Sequence, residues 1–452
     1  MQFLYDAFQA LLKAGAFVML PVIITVVGLC LGMKITRAFR SGLTVGIGFV
    51  GIKLVIDMLA ANIGPASKAM VENFGLQLDI IDVGWGAIAS VTWASPIIPL
   101  LILTIFLVNV VLLSLKATDT LDVDIWNYHH MAIVGVLVYF VTNNIFVAVA
   151  SAAVMAFITF KLSDWTSPLV ERFFGIPNVS LPTMSFLSSV VIAYPMNWIL
   201  DRIPGVNKIS MDLNKAQKYL GIFGESTMLG FILGCIIGGL AKYSVGAAFN
   251  LGVHMAAVMV LIPKMTSLFV EGLMPISEAA TEFTSKRFKN RKFLIGLDAA
   301  VVVGDSRVIT TALVLIPLTI LMAAILPGNR VMPFADLAVI TFRIALVVAI
   351  ARGNVFRSIL MGLVVMAAIL YAGTLTSPVL TAVATQTGLD FKGQMISSFA
   401  SVSMTLSFLI YQVFVNNLMI TVPILVVVLG VIYYFAQKAY RKAIAANEQG
   451  EM

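Results

Sequence analysis

Charge is what this chain has least of. Only 11% of its 452 residues are charged and 60% are hydrophobic, whereas a soluble domain carries about 25% charged residues. An ordinary soluble enzyme is excluded. Cysteine is nearly absent. Cys30 and Cys235 both sit in apolar runs, so no disulfide framework, zinc site or exposed reactive thiol is expected. Of the three histidines, His129 and His130 are adjacent, and adjacent residues do not share a helix face, so no metal pair is expected. There is no G-x-x-x-x-G-K-S/T run, hence no P-loop for ATP, and no cofactor is expected. No Cys or His lies in a phosphorylation-site context, so any phosphate chemistry must come from another chain. Long alternating runs are missing, which excludes a β-barrel. No basic region precedes the first apolar run, so no removable signal peptide is expected.

What is present is apolar. The mean hydropathy is +1.00, and several runs approach the ~20 residues a bilayer helix needs. The reading is an all-α polytopic membrane protein with about eleven transmembrane helices, re-entrant hairpins and interfacial amphipathic helices. The net charge of +7 is scattered between spans. It fits cytoplasmic loops, not nucleic-acid binding.

One stretch recurs. At a shift of 210 residues Gly42, Val50 and Ile52 fall on Gly252, Val260 and Ile262, and Pro65, Ser67, Ala69 and Glu72 on Pro275, Ser277, Ala279 and Glu282. Lys34, Arg37 and Arg40 precede the first copy, and Lys286 to Lys292 follow the second. Basic loops stay in the cytoplasm, so the copies run in opposite directions, the inverted-repeat plan of a carrier. The halves are residues 1–218 and 219–452. The N-terminus is expected outside and the C-terminus inside.

In order, Met1 to Lys13 reads as an amphipathic lead. Ile63 to Ile81 and Lys161 to Pro182 read as surface segments, Thr266 to Lys292 as a cytoplasmic arm and Thr374 to Gln394 as an outer loop. Asn143-Asn144 interrupts a run too long for one span. Lys53 and Asp57 are four apart and able to pair.

Candidate chemistry gathers where apolar runs break. Asp82-Val-Gly-Trp85 to Thr92-Trp-Ala-Ser95 is rich in small, hydroxyl and indole groups. A polyol needs hydrogen-bond partners and a flat apolar face, and Trp85 and Thr92 supply both. An interfacial aromatic belt is the other reading for Trp85 and the favoured one for Trp93. Asp298 and Asp305 lie in Phe293 to Ser306. A cap explains Asp305 well and Asp298 less well, and a carboxylate at Asp298 accepts bonds from adjacent hydroxyls. Glu225 is a second carboxylate acceptor or a charge at a helix N-terminus. Asn127, His129 and His130 form a polar hinge. His254 reads as a core histidine, and Arg343 in mid-span needs a partner.

These pieces resemble the IIC subunits of galactitol-type phosphoenolpyruvate-dependent sugar phosphotransferase systems. The resemblance rests on Gly46-Ile-Gly-Phe-Val-Gly-Ile52, Gly64-Pro-Ala-Ser-Lys-Ala-Met70, Asp82-Val-Gly-Trp85, Thr92-Trp-Ala-Ser95, Val123-Asp-Ile-Trp-Asn127, Ile203-Pro-Gly-Val-Asn207, Phe223-Gly-Glu225, Phe293-Leu-Ile-Gly-Leu-Asp298 and Arg352-Gly-Asn354. They span nearly the whole chain in family order. The chain departs at Ala299, where the family often has proline, near Asp305 and Arg307, and across Thr374 to Asn416. The resemblance implies a homodimeric carrier in the bacterial inner membrane. A core domain would move against a dimerising scaffold, like an elevator. It would import galactitol or a similar polyol, phosphorylated by a separate IIB chain that a IIA chain loads. The alternatives are a carrier for ascorbate or another sugar, and an ion-coupled carrier in which Asp298 and Glu225 take protons.

Overall fold

The computed structural model describes residues 16–74, 78–122, 124–205, 209, 221, 225–287, 293–400 and 402–448. Its helices are α1 (Ala16–Cys30), α2 (Ile35–Phe74), α3 (Trp85–Trp93), α4 (Ile98–Ser114), α5 (Tyr128–Thr142), α6 (Ile145–Phe174), α7 (Met184–Leu187), α8 (Val190–Leu200), α9 (Ser226–Leu240), α10 (Val245–Arg287), α11 (Ser306–Ile325), α12 (Thr341–Ile350), α13 (Val355–Gln386), α14 (Thr405–Val415) and α15 (Leu418–Glu448). Among the described residues seven helices are long and apolar enough to cross a bilayer, or eight if α3 and α4, bent by 99°, form one broken span. The chain is therefore a polytopic helical membrane protein. Shorter apolar helices such as α12 and α14 fall below the ~20 residues of a full crossing.

Two small sheets were not expected in an all-α chain. Their strands are β1 (Ile80–Asp82), β2 (Thr120–Asp122), β3 (Val179–Ser180), β4 (Leu294–Gly296), β5 (Val331–Met332) and β6 (Met395–Ser397). The orders are β5-β1-β6 and β2-β4-β3, and every pairing is parallel. Ile80 faces Val331 and Met395, and Asp122 faces Gly296. Chain breaks among apolar helices must still satisfy their backbone N–H and C=O groups, and these strands satisfy one another. Each central strand comes from one half of the chain and its two neighbours from the other.

Spacing also repeats. The starts of α1 and α9, α2 and α10, and α6 and α13 are each 210 residues apart. So are the left-handed residues Gly32 and Lys242. Asn144 caps α6 by accepting from the Phe146 N–H at 3.0 Å, and Asn354 caps α13 by accepting from the Arg357 N–H at 3.0 Å. The break expected at Asn143-Asn144 is present, with Asn143 at φ 47°.

Several expectations need correction. α2 runs 40 residues through Pro65, and α10 runs 43 residues through Pro263 and Pro275, so the surface segment after Asn62 and the arm after Thr266 are helix. Proline removes one backbone bond but does not end either helix. α13 continues to Gln386, across much of the expected outer loop. α6 continues to Phe174 in place of a surface helix, because its polar groups are satisfied internally. Lys161 Nζ lies 2.8 Å from Asp164 Oδ2, and the Thr118 and Thr120 hydroxyls donate to that carboxylate at 2.9 Å. Trp93 is fully buried, not in a belt. Cys30 ends α1 on a helix face that the other described residues leave open. His254 is half-buried rather than in the core, and its Nδ1 donates to the Asn250 carbonyl of its own helix at 2.8 Å. Lys53 and Asp57 do pair, at 3.1 Å. The Met1–Lys13 lead, the basic residues Lys208 to Lys218 and Lys289 to Lys292, and the side chains of Ser67, Glu72 and Ser277 lie outside the described residues.

Candidate functional site

The site forms where the two breaks meet. Gly84 adopts φ +85°, and a Cβ there would sit 2.9 Å from the Ala335 Cβ. Only glycine suits that turn, which lets β1 pass into α3 hard against the second half. The Asp82 carboxylate accepts from the N–H groups of Gly84 (3.1 Å), Phe334 (3.1 Å) and Asp336 (2.8 Å). Asp336 in turn accepts from the Trp85 N–H (3.0 Å), the Ser398 hydroxyl (2.6 Å), the Phe399 N–H (2.7 Å) and Arg343 Nη2 (3.2 Å). This is the partner Arg343 needed, and it anchors four chain segments at one carboxylate.

The second break supplies the neighbouring network. Asp124 caps the single turn Ile125–Asn127 by accepting from the Trp126 N–H at 3.1 Å, and its other oxygen accepts from Asn127 Nδ2 at 3.2 Å. Thr183 Oγ1 accepts from the Ala299 N–H at 2.9 Å and lies 3.4 Å from Asn127 Oδ1 and 3.5 Å from Asp298 Oδ2. Asp298 also accepts from the Ala300 N–H at 2.7 Å, so it caps the turn Ala299–Val301 as well as facing the cluster. Pairing of β2 with β4 sets Asp122 beside this carboxylate.

Aromatic rings join the two networks. Trp85 packs edge-on against Trp126 at 5.8 Å, Trp126 against His129 at 4.7 Å, and His129 against His130 at 4.0 Å. His129 Nδ1 lies 2.6 Å from the Trp126 carbonyl, so in neutral imidazole it carries the proton and Nε2 is left as an acceptor. His129 Nε2 and Asp122 Oδ2 are buried and have no hydrogen-bond partner. Buried polar atoms are normally paired, so each of these orphaned acceptors suits a ligand that brings hydrogen-bond donors. No cluster of metal-binding side chains occurs among the described residues.

The structure thus brings together Trp85, Asn127, His129, His130 and Asp298 of the expected residues. It sets two apart. Thr92 is buried and its hydroxyl donates to the Ile88 carbonyl of its own helix at 2.9 Å. Glu225 is exposed at the start of α9 and makes no side-chain cap. Asp122, Trp126, Thr183 and Asp336 were missed. A carboxylate inside an apolar stretch is itself a signal, and Asp336 had it; nothing in the sequence singles out Thr183. Asp305 is a cap, as read: it accepts from the Arg307 N–H at 2.8 Å, and the hydrogen-bonded Arg307 guanidinium holds its carboxyl below the usual carboxylate range.

Known proteins are similar to this chain over most of its length. The family described as EIIC-GAT, PTS system sugar-specific permease component, matches residues 10–394. The chain is 39% identical over 409 residues to the PTS system galactitol-specific EIIC component of Escherichia coli (strain K12), covering 90% of this chain and 91% of that protein. The protein of the same name from Escherichia coli O157:H7 matches equally. A putative permease IIC component of Escherichia coli (strain K12) is 38% identical over 387 residues, 86% of this chain and 89% of that one.

Proposed function

The chain belongs to the EIIC-GAT family of sugar-specific permease components of the phosphotransferase system, and from that premise we propose that it imports galactitol or a similar polyol. As a IIC permease it is a multi-pass protein of the bacterial inner membrane and works with separate IIB and IIA chains. The observation that carries the substrate reading is the two orphaned acceptors, His129 Nε2 and Asp122 Oδ2, with the His129 ring packed on Trp126 and Trp126 on Trp85. A neutral polyol offers hydroxyl donors to both acceptors and C–H groups to the indoles. Asp298 and Asn127 accept or donate to further hydroxyls. A sugar acid would bring its own negative charge to Asp122, Asp124 and Asp298, which disfavours ascorbate.

The chain works as two inverted halves, 1–218 and 219–452, that intertwine into a substrate-binding core and a dimerising scaffold. The recurring 210-residue spacing and the exchange of strands between halves support this reading. In it α1, α2, α9 and α10 form the scaffold, and the sites at β1 and β4 ride on the core as it moves. Phosphorylation by IIB adds charge to the polyol and lowers its affinity, which makes uptake one-way. Arg202, Arg352 and Arg357 gather at one end of the helices with Asp201, which supports placing that end, and the C-terminus of α15 with it, in the cytoplasm.

Galactitol binding to purified protein, wild type beside Asp298→Asn, tests this. Binding by wild type and its loss in a folded mutant support polyol recognition by this cluster. Binding of another polyol alone keeps the class and changes the substrate. Uptake by vesicles that lack IIB and IIA would overturn group translocation in favour of an ion-coupled carrier.

A further inference from the structure

A groove of about 1100 Å³ runs between α6, α8, α12 and α15 and contains none of the site residues. Its walls are apolar and aromatic, with Phe157, Leu162, Leu169, Tyr194, Leu429 and Tyr433. From Phe157 to Phe173 it follows α6 for 16 residues, about 24 Å of helix, and so reaches across most of the ~30 Å hydrocarbon layer. α15, which forms its outer wall, buries none of its most apolar stretch.

One end of the groove is cationic. Arg172, Arg307 and Arg352 all line it. The Arg307 guanidinium stacks 3.9 Å over the Phe173 ring, and a Cβ on Gly353 would lie 3.2 Å from Arg307 Nη1, so the three residues converge around Phe173 and Gly353. Tyr194 lines the same groove. Asp305 neutralises part of this charge by pairing with Arg307 at 2.6 Å. Lys161, lower down, is committed to Asp164 and to the Ala117 carbonyl at 2.8 Å each. A mouth lined by three arginines on an apolar trough is matched by a molecule with an anionic head and a long apolar tail.

We propose that this groove binds one anionic phospholipid, its phosphodiester against Arg172, Arg307 and Arg352 and an acyl chain along Phe157, Leu162 and Leu169 beneath α15. The planar forks of the arginines suit phosphate oxygens. A zwitterionic lipid would place its own cation among them. Because the groove borders α6 and α8, the lipid acts as a wedge that fixes α15 to the rest of the chain.

Trp165 lines the groove and hydrogen-bonds Gln437 of α15 at 3.0 Å, which provides a reporter. The full chain is reconstituted in vesicles carrying equal small fractions of brominated phosphatidylglycerol or brominated phosphatidylcholine, and tryptophan quenching is measured. The expected result is stronger quenching by phosphatidylglycerol. The excess falls at least twofold in Arg172→Gln/Arg352→Gln, persists in Arg172→Lys/Arg352→Lys, and disappears in Trp165→Phe. Arg172 and Arg352 are exposed, so these variants are expected to fold, with Arg172→Gln alone as the milder version. Equal quenching by both lipids overturns the proposal, and so does an excess that survives the glutamine variants. No quenching of Trp165 by either lipid overturns it too and points to a second copy of the chain covering the groove.

Discussion

Asp82 and Asp336 hold each other's backbone: the Asp82 carboxylate accepts from the Asp336 N–H at 2.8 Å, and the Asp336 carboxylate accepts from the Trp85 N–H, three residues beyond Asp82, at 3.0 Å. The two are 254 residues apart. Asp336 also neutralises Arg343, both side chains being almost fully buried. Removing one partner of a buried pair typically costs about 3–5 kcal/mol. Asp336→Ala is therefore expected to lower the thermal unfolding midpoint in detergent strongly, and Asp336→Asn less so, since the amide keeps part of the network. Equal midpoints for Asp336→Ala and wild type would sink this account of the clamp.

His129 separates function from stability. Its Nε2 has no protein partner, while its Nδ1 bonds the Trp126 carbonyl at 2.6 Å, a bond whose loss would itself cost stability. His129→Asn keeps an N–H donor near the Nδ1 position and removes the Nε2 acceptor, so it is expected to keep the unfolding midpoint near wild type and to weaken polyol binding about tenfold or more, equivalent to roughly 1.4 kcal/mol. Isothermal titration and a melting curve on the same sample decide it; intact binding would remove His129 from the site.

Gly86 is a contact of near-zero tolerance between α3 and α10. A Cβ there would fall 2.2 Å from Thr266 Oγ1 and 3.1 Å from Ile262 Cγ2. Overpacking of this kind costs about 1–3 kcal/mol. Gly86→Ala should destabilise the protein, and Thr266→Ala should recover part of the loss, giving a favourable coupling in a double-mutant cycle. Strict additivity of the two changes would show that they do not meet.

Acid should weaken the Asp305 cap. Its carboxyl titrates below the usual range because Arg307 bonds to it, while in the unfolded chain it titrates near 3.9. A lowered folded value means the stabilisation is present above about pH 3.9 and is lost as pH falls below it. Between about pH 5 and pH 3 the wild-type midpoint is expected to fall further than that of Asp305→Asn. Parallel curves would show that the pair contributes nothing.

Membrane class and family were legible because they are written in long runs and dispersed motifs. The breaks were legible as well: Asn143-Asn144, Asp82 to Ser95 and Phe293 to Ser306 all interrupt helices as read. What those breaks do was not. A strand of two or three residues carries no period, and its partners lie hundreds of residues away, so pairing such as Ile80 with Met395 leaves no local trace. The lengths of α2 and α10 were misread because the apolar runs give way to mixed, amphipathic sequence after Asn62 and Ile262, yet packing of the two long helices carries both on, through Pro65 in α2 and through Pro263 and Pro275 in α10. Asp298 drew attention as an acid among apolar residues. Asp122 is equally acid and equally enclosed, but it sits in a stretch polar enough to pass for a loop.

The exchanged strands set a schedule for making the protein. β1 ends at Asp82 and gains its last partner, β6, only when residue 397 has been made. At about 5–20 residues per second a ribosome needs roughly 15–60 s for that interval. Throughout it the first half waits in the bilayer with open strand edges, and the same holds in reverse for β2, which has no partner until β4. A truncated product lacking the second half has no way to close them, so the quality-control machinery of the cell should recognise incomplete chains by these edges rather than by missing helices.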